Sequence, residues 1–164
     1  MVVTELAQEL GSLLREKGAC VTTAESCTGG GVAEAITRIA GSSAWFEAGY
    51  VTYSNAQKTQ MLGVSADTIK NCGAVSLPVV EAMVRGACWA SGAKYGVAIS
   101  GIAGPDGGTP MKPVGTVCFA WLANGALELR TYVFAGDRAA VRLQSVQKAL
   151  AGLISMLRDE TNFD

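Results

Sequence analysis

The residue types best suited to covalent chemistry fall in two stretches, Gly41-Ser42-Ser43-Ala44-Trp45-Phe46 and Val51-Thr52-Tyr53-Ser54-Asn55-Ala56-Gln57-Lys58, of a chain that has no histidine. A serine nucleophile in such a chain cannot pass its proton to imidazole, which leaves a lysine amine with a tyrosine beside it as the leading substitute. Lysine serves as a base only when neutral, so its ordinary pKa of about 10.4 must fall, and burial does this by disfavouring the charged form. Trp45, Phe46 and Tyr53 are near enough in sequence to supply a dry wall. Taken singly, Lys58 in a short helix reads as a solvated charge and Ser43 as a turn or helix cap.

Two further segments suit an anion. The turn Ser26-Cys27-Thr28-Gly29-Gly30-Gly31 joins hydroxyls and amides to a helix start, and the loop Gly101-Ile102-Ala103-Gly104-Pro105-Asp106-Gly107-Gly108 lets backbone approach a ligand closely. Neither has the lysine-serine pair of a P-loop or the glycine spacing of a dinucleotide fingerprint. The alternative for the first is an ordinary strand-to-helix connection, and for the second a long hairpin-like loop. Arg138 and Arg142, one helical turn apart, offer guanidinium forks for phosphate or carboxylate, or else pair with Asp137 and solvent. Glu25 can orient the first turn through backbone amides or help fix a cationic ring. Asp106 reads as a turn former.

The elements that position these residues follow from periodicity. Leu6, Leu10, Leu13 and Leu14 recur at helical spacing from Thr4 to Lys17, where Gly18 stops the helix. A strand over 19–24 delivers the Ser26 turn to a helix carrying Val32, Ile36 and Ile39. Strand character returns over 46–53, and Asn55 caps a short helix with Lys58, Met61 and Leu62. Ser76 caps a longer helix reaching about Ser91. A buried strand over 95–100 runs into the glycine loop. The Asn124-Gly125 pair between Val114–Leu122 and Leu127–Phe134 predicts an antiparallel hairpin. Asp137 caps a last helix with one stripe of Val141, Val146, Leu150, Leu153, Ile154 and Leu157. Strands alternating with helices, then a hairpin, predict an α/β fold, a three-layer α/β/α sandwich with a mixed sheet.

Bulk properties narrow the function. The 164 residues, 49% hydrophobic, suit one domain over 1–164 with a substantial core. A net charge of −1 provides no basic field for nucleic acid. Five cysteines, Cys20, Cys27, Cys72, Cys88 and Cys118, lack zinc-type spacing and read as reduced thiols of a cytoplasmic protein. No metal site, membrane span or signal peptide is expected. Abundant apolar side chains point to self-association as a homodimer.

Five strings resemble the CinA C-terminal domain family: Thr23-Ala24-Glu25-Ser26-Cys27-Thr28-Gly29-Gly30, Gly41-Ser42-Ser43-Ala44-Trp45-Phe46, Val51-Thr52-Tyr53-Ser54-Asn55, Gly73-Ala74-Val75-Ser76 and Ser100 to Gly108. They occur in order along nearly the whole chain. The resemblance implies metal- and cofactor-free hydrolysis of the carboxamide of nicotinamide mononucleotide, giving nicotinate mononucleotide and ammonia, in pyridine-nucleotide salvage. It implies a serine and lysine dyad with a helping tyrosine on Ser43, Lys58 and Tyr53. Substrate contacts are expected from Ser26, Thr28, Gly29, Gly30, Gly101, Gly104, Gly107, Gly108, Arg138 and Arg142. The separate N-terminal domain of longer family members has no expected counterpart. The alternative is a non-catalytic nucleotide- or partner-binding domain of the same competence and damage-inducible family.

Overall fold

A computed structural model describes residues 2–163, with side-chain surroundings through residue 160. The first helix, α1 (Val2–Lys17), leads through Gly18, in the left-handed region at φ 61°, to β1 (Val21–Glu25). Helix α2 (Gly31–Thr37) and a single 3-10 turn (Ser42–Ala44) precede β2 (Phe46–Val51). Helices α3 (Asn55–Leu62), α4 (Ala66–Cys72) and α5 (Leu77–Ser91) lead to β3 (Tyr95–Gly101). The hairpin β4 (Thr116–Ala123) and β5 (Ala126–Val133) is followed by α6 (Arg138–Phe163).

The five strands form one mixed sheet in the order β2-β1-β3-β4-β5. The first three are parallel, while β4 and β5 run antiparallel to their neighbours. Because side chains alternate across a strand, the sheet feeds two cores. Val21, Val97, Ile99, Phe119 and Trp121 pack under α1, α2 and α6, whereas Ala24, Ala98, Cys118, Ala120 and Leu122 pack under α3, α4 and α5. This is the three-layer α/β/α arrangement expected. Ligands of such sheets bind beyond the carboxyl ends of the parallel strands, here Glu25, Val51 and Gly101.

Local differences from the sequence reading have physical causes. Ser54, rather than Asn55, caps α3: its extended backbone lets Oγ accept the Gln57 N–H at 3.1 Å. Ser76 stands at the cap position of α5, yet its hydroxyl donates to Gly73 O at 2.7 Å. Helix α4 buries only Ile69 and so has no apolar stripe to betray it. Asp137 does cap α6, its carboxylate accepting the Ala140 N–H at 2.9 Å. No helix among the described residues is long and apolar enough to cross a membrane.

Candidate active site

Strand β1 ends in Glu25, and the next residue, Ser26, begins the turn into α2. Its Oγ lies 3.1 Å from Lys58 Nζ. The lysine reaches inward from α3, which is held against α5 by a close backbone approach. A Cβ at Gly86 of α5 would lie 2.0 Å from Leu62 O at the end of α3, so glycine is required there. Lys58 is among the largest fully buried side chains, 1% exposed. Besides Ser26, its amine donates to the main-chain oxygens of Thr52 at 2.9 Å and Tyr53 at 3.1 Å, just past the end of β2.

Those contacts select a protonation state with chemical use. Carbonyl oxygens only accept, so they take two N–H groups. A neutral amine has just two, and its lone pair is then left for the third neighbour, the Ser26 hydroxyl. Burial lowers the Lys58 pKa from 10.5 and favours that neutral form, with a smaller opposing Coulombic contribution from Cys27. When the amine is protonated, it donates to Ser26 Oγ, and the serine proton has Tyr53 O at 3.5 Å as its acceptor.

The turn that carries Ser26 is fastened from below by Glu25. Its buried carboxylate accepts the Thr28 hydroxyl at 2.6 Å, the Val32 N–H at 2.9 Å and the Ala33 N–H at 3.0 Å, and its main-chain oxygen accepts Thr52 N–H at 2.9 Å. One residue thereby ties together α2, the serine turn and the segment that orients Lys58. From the outer side, Arg142 donates to Cys27 O at 3.2 Å and Thr28 O at 3.4 Å. The neighbouring Cys27 thiol is pushed up to about 12 by burial, so it remains protonated and does not compete as a nucleophile.

Ser26, Cys27, Tyr53, Asn55 and Lys58 line a cavity of about 290 Å³. Its opposite wall is the glycine loop, through Gly101, Gly104, Asp106 and Gly107. Arg138, at the first position of α6, lines both this cavity and an adjoining one of about 680 Å³ that Arg142 also borders. The Arg138 guanidinium donates to Gly104 O at 2.8 Å and to the Tyr53 hydroxyl at 3.0 Å, and among the described residues no carboxylate pairs with it. No group of His, Cys, Asp and Glu among the described residues is placed to hold a metal ion.

The two loops named as substrate cradles therefore meet, with Lys58 between them, but the residues named for catalysis do not all meet. Ser43 sits in the 3-10 turn before β2, next to Trp45, whose oxygen accepts the first N–H of β1. Lys58 and its carbonyl partners follow β2, so a whole strand, roughly 20 Å at ~3.3 Å per residue, separates Ser43 from the amine. The reason is chain direction: Ser43 lies at the amino end of the parallel strands and Ser26 at their carboxyl end. Tyr53 is present at the site, but its main-chain oxygen meets Lys58 while its hydroxyl meets Arg138. Thr28, Gly29 and Gly30 lie behind the cavity. The Thr28 hydroxyl is spent on Glu25, Gly29 backs onto Arg142, and Gly30 precedes α2 at φ 100°. Gly108 packs against Val114 instead of the cavity. Glu25 is enclosed and fully engaged, which leaves it the turn-orienting role and not a ring contact.

Residues 3–157 match the model of the CinA C-terminal domain family. A Pseudomonas putida protein named nicotinamide-nucleotide amidohydrolase PncC is 62% identical, over 94% of this chain and 96% of its own length. Its Escherichia coli K12 namesake is 57% identical over 91% of each chain. Among solved structures, the competence/damage inducible protein CihA from Agrobacterium tumefaciens superposes with a TM-score of 0.93 at 42% identity, covering 96% of each chain. A CinA superfamily protein from Klebsiella pneumoniae gives 0.92 at 40% identity, over 96% of this chain and 98% of that one.

Proposed function

Because the chain belongs to the CinA C-terminal domain family, we propose that it is a nicotinamide-nucleotide amidohydrolase in which Ser26 is the nucleophile and Lys58 its base. The substrate class comes from the near full-length likeness to the two PncC proteins. The observation that carries the residue assignment is the 3.1 Å contact between a serine hydroxyl and a buried lysine amine whose N–H groups are already claimed by two carbonyls.

In this reading Ser26 Oγ attacks the carboxamide carbon of nicotinamide mononucleotide as its proton passes to Lys58 Nζ. The tetrahedral oxyanion is met by main-chain amides of the Ser26 turn and the glycine loop, the two walls of the cavity. Lys58 returns the proton to the departing nitrogen, the C–N bond breaks, and ammonia leaves an ester on Ser26. Water then attacks the ester with Lys58 again taking a proton. Collapse releases nicotinate mononucleotide and restores the serine hydroxyl. Arg138, the unpaired guanidinium at the cavity mouth, anchors the phosphate, and Arg142 holds the turn through its carbonyls.

Ammonia release from nicotinamide mononucleotide tests the reading. Ser26→Ala should lower kcat by more than about a thousandfold, and Lys58→Ala should do likewise with the protein still folded. Ser43→Ala should stay within about twofold, because it touches neither group. Full activity in Ser26→Ala would remove Ser26 from the nucleophile's role, and loss of activity in a folded Ser43→Ala would return that role to Ser43. Binding of the mononucleotide without turnover by the unmutated protein would mark a binding domain.

A further inference from the structure

Strand β5 is an edge of the sheet, paired to β4 alone. Its hairpin joins Ala123 to Ala126 through Asn124 and Gly125, both at positive φ, 50° and 94°. In such a two-residue turn the flanking pair is hydrogen-bonded, and bonded pairs then recur at every second residue. The Phe134 N–H donating to Gly115 O at 2.9 Å keeps that phase at the far end. Ala126, Glu128, Arg130 and Tyr132 thus spend their main-chain groups on β4. Leu127, Leu129, Thr131 and Val133 turn theirs outward, and no proline or glycine interrupts the row. At Leu129 the outward oxygen accepts the Arg130 guanidinium at 2.8 Å, a side-chain contact that a partner's N–H would replace, and an edge of this length is a template for another strand.

The side chains specify which one. Glu128 and Arg130 stand opposite Trp121 and Phe119, on the α6 side of the sheet, while Leu127 and Leu129 stand opposite Leu122 and Ala120 on the α5 side. For a second copy related by a two-fold axis normal to the sheet, the outward groups allow a centre at any residue from Leu127 to Thr131. Centring on Glu128 or on Arg130 sets that residue against its own copy, like charge against like, which disfavours both. Centring on Leu127 sets Glu128 against Ala126, and centring on Thr131 sets Arg130 against Tyr132. Centring on Leu129 sets Glu128 of each copy against Arg130 of the other, twice. Those positions fall in the non-hydrogen-bonded pairs, where facing side chains approach most closely. The same register stacks Leu129 on its own copy and Leu127 on Thr131.

We propose that β5 is the self-association surface of this protein: two copies pair antiparallel about Leu129, joining their sheets into one and exchanging Glu128–Arg130 ion pairs. Within one copy Glu128 and Arg130 already meet at 2.6 Å on a half-exposed surface. Pairing turns two isolated contacts into a ring of alternating charge. A groove of about 680 Å³ alongside, lined by Glu128, Arg130, Met156 and Asp159, leaves room for the partner's arginine. The opposite edge has no such code, since β2 carries Glu47 and no cation.

Sedimentation equilibrium of the full chain tests this without reference to catalysis. The unmutated protein should be a dimer at micromolar concentration. Glu128→Arg and Arg130→Glu each place like charges in register and should raise the dimer dissociation constant at least tenfold. The double exchange, Glu128→Arg with Arg130→Glu, should restore it. Leu129→Pro, which removes an outward N–H not used by β4, should give monomer with an unchanged circular-dichroism spectrum. A monomeric unmutated protein overturns the proposal, as does a dimer indifferent to the single charge changes and to Leu129→Pro. Failure of the double exchange to recover the dimer overturns the register.

Discussion

Lys58 Nζ and Ser26 Oγ stand 3.1 Å apart although 32 positions separate them in the chain. Parallel strands bring them together: β1 delivers the serine and the exit from β2 turns the lysine back over it. Strands β1 and β2 pair from Val21 with Phe46 to Glu25 with Val51, with a one-residue register shift between Val21 and Thr23, so the ends that carry the two residues leave the sheet side by side.

The first prediction concerns pH. Burial lowers the Lys58 pKa from 10.5, and the working species is the neutral amine, so kcat/KM should climb as pH rises through that lowered value and level off above it. Lys58→Arg, charged throughout, should be inactive at every pH. Stability follows with a defined sign. Between the folded and unfolded pKa values the unfolded chain binds more protons, so folding is favoured as pH rises across that window. Lys58→Met should flatten that part of a denaturation series measured against pH; an equally steep slope in Lys58→Met would contradict the assignment.

A second prediction isolates Glu25. In Glu25→Gln the amide NH2 must face either the Val32 or the Ala33 N–H, whichever way it is turned. The unmet donors should cost about 1–3 kcal/mol of stability. With the turn loosened, kcat should fall around tenfold while KM changes little. Thr28→Val, which withdraws one donor from the carboxylate, should act in the same direction, and Thr28→Ser should recover the rate. Chemical denaturation and steady-state ammonia release read the two effects separately.

A third concerns Arg138. If its guanidinium holds the phosphate, Arg138→Ala should reduce kcat/KM for the mononucleotide about 10- to 100-fold, the worth of a charge-assisted hydrogen bond. Turnover of free nicotinamide, which lacks phosphate, should scarcely change. Equal losses on both substrates would assign Arg138 to the Tyr53 and Gly104 contacts alone.

Most of the architecture is written in patterns that a single chain displays. Leucine spacing marks α1, the Asn124-Gly125 pair marks the hairpin, and the stripe from Val141 to Leu157 marks α6. Helix α4, with Ile69 as its only buried residue, shows nothing periodic. At the site, the absence of histidine leads to Lys58, and the glycine count leads to the loops. The partner of Lys58 is obscured because Ser26 stands among hydroxyls and glycines that suit a phosphate equally well. Strand order held the missing clue: a base that follows β2 can meet only groups that follow a parallel neighbour, and Ser43 comes before one. What no pattern shows is that Tyr53 contributes its carbonyl to the lysine and its phenol to Arg138.

The oxygens that aim the Lys58 amine belong to the peptide links of residues 52 and 53. Point substitution cannot delete a peptide oxygen, so a side-chain exchange at either position that fits the fully enclosed space at Thr52 or the more open one at Tyr53 leaves the proton acceptor aligned. Evolution would then be free to retune which amides are accepted by varying the outward-facing groups around the cavity, while the proton-transfer apparatus beneath stays constant.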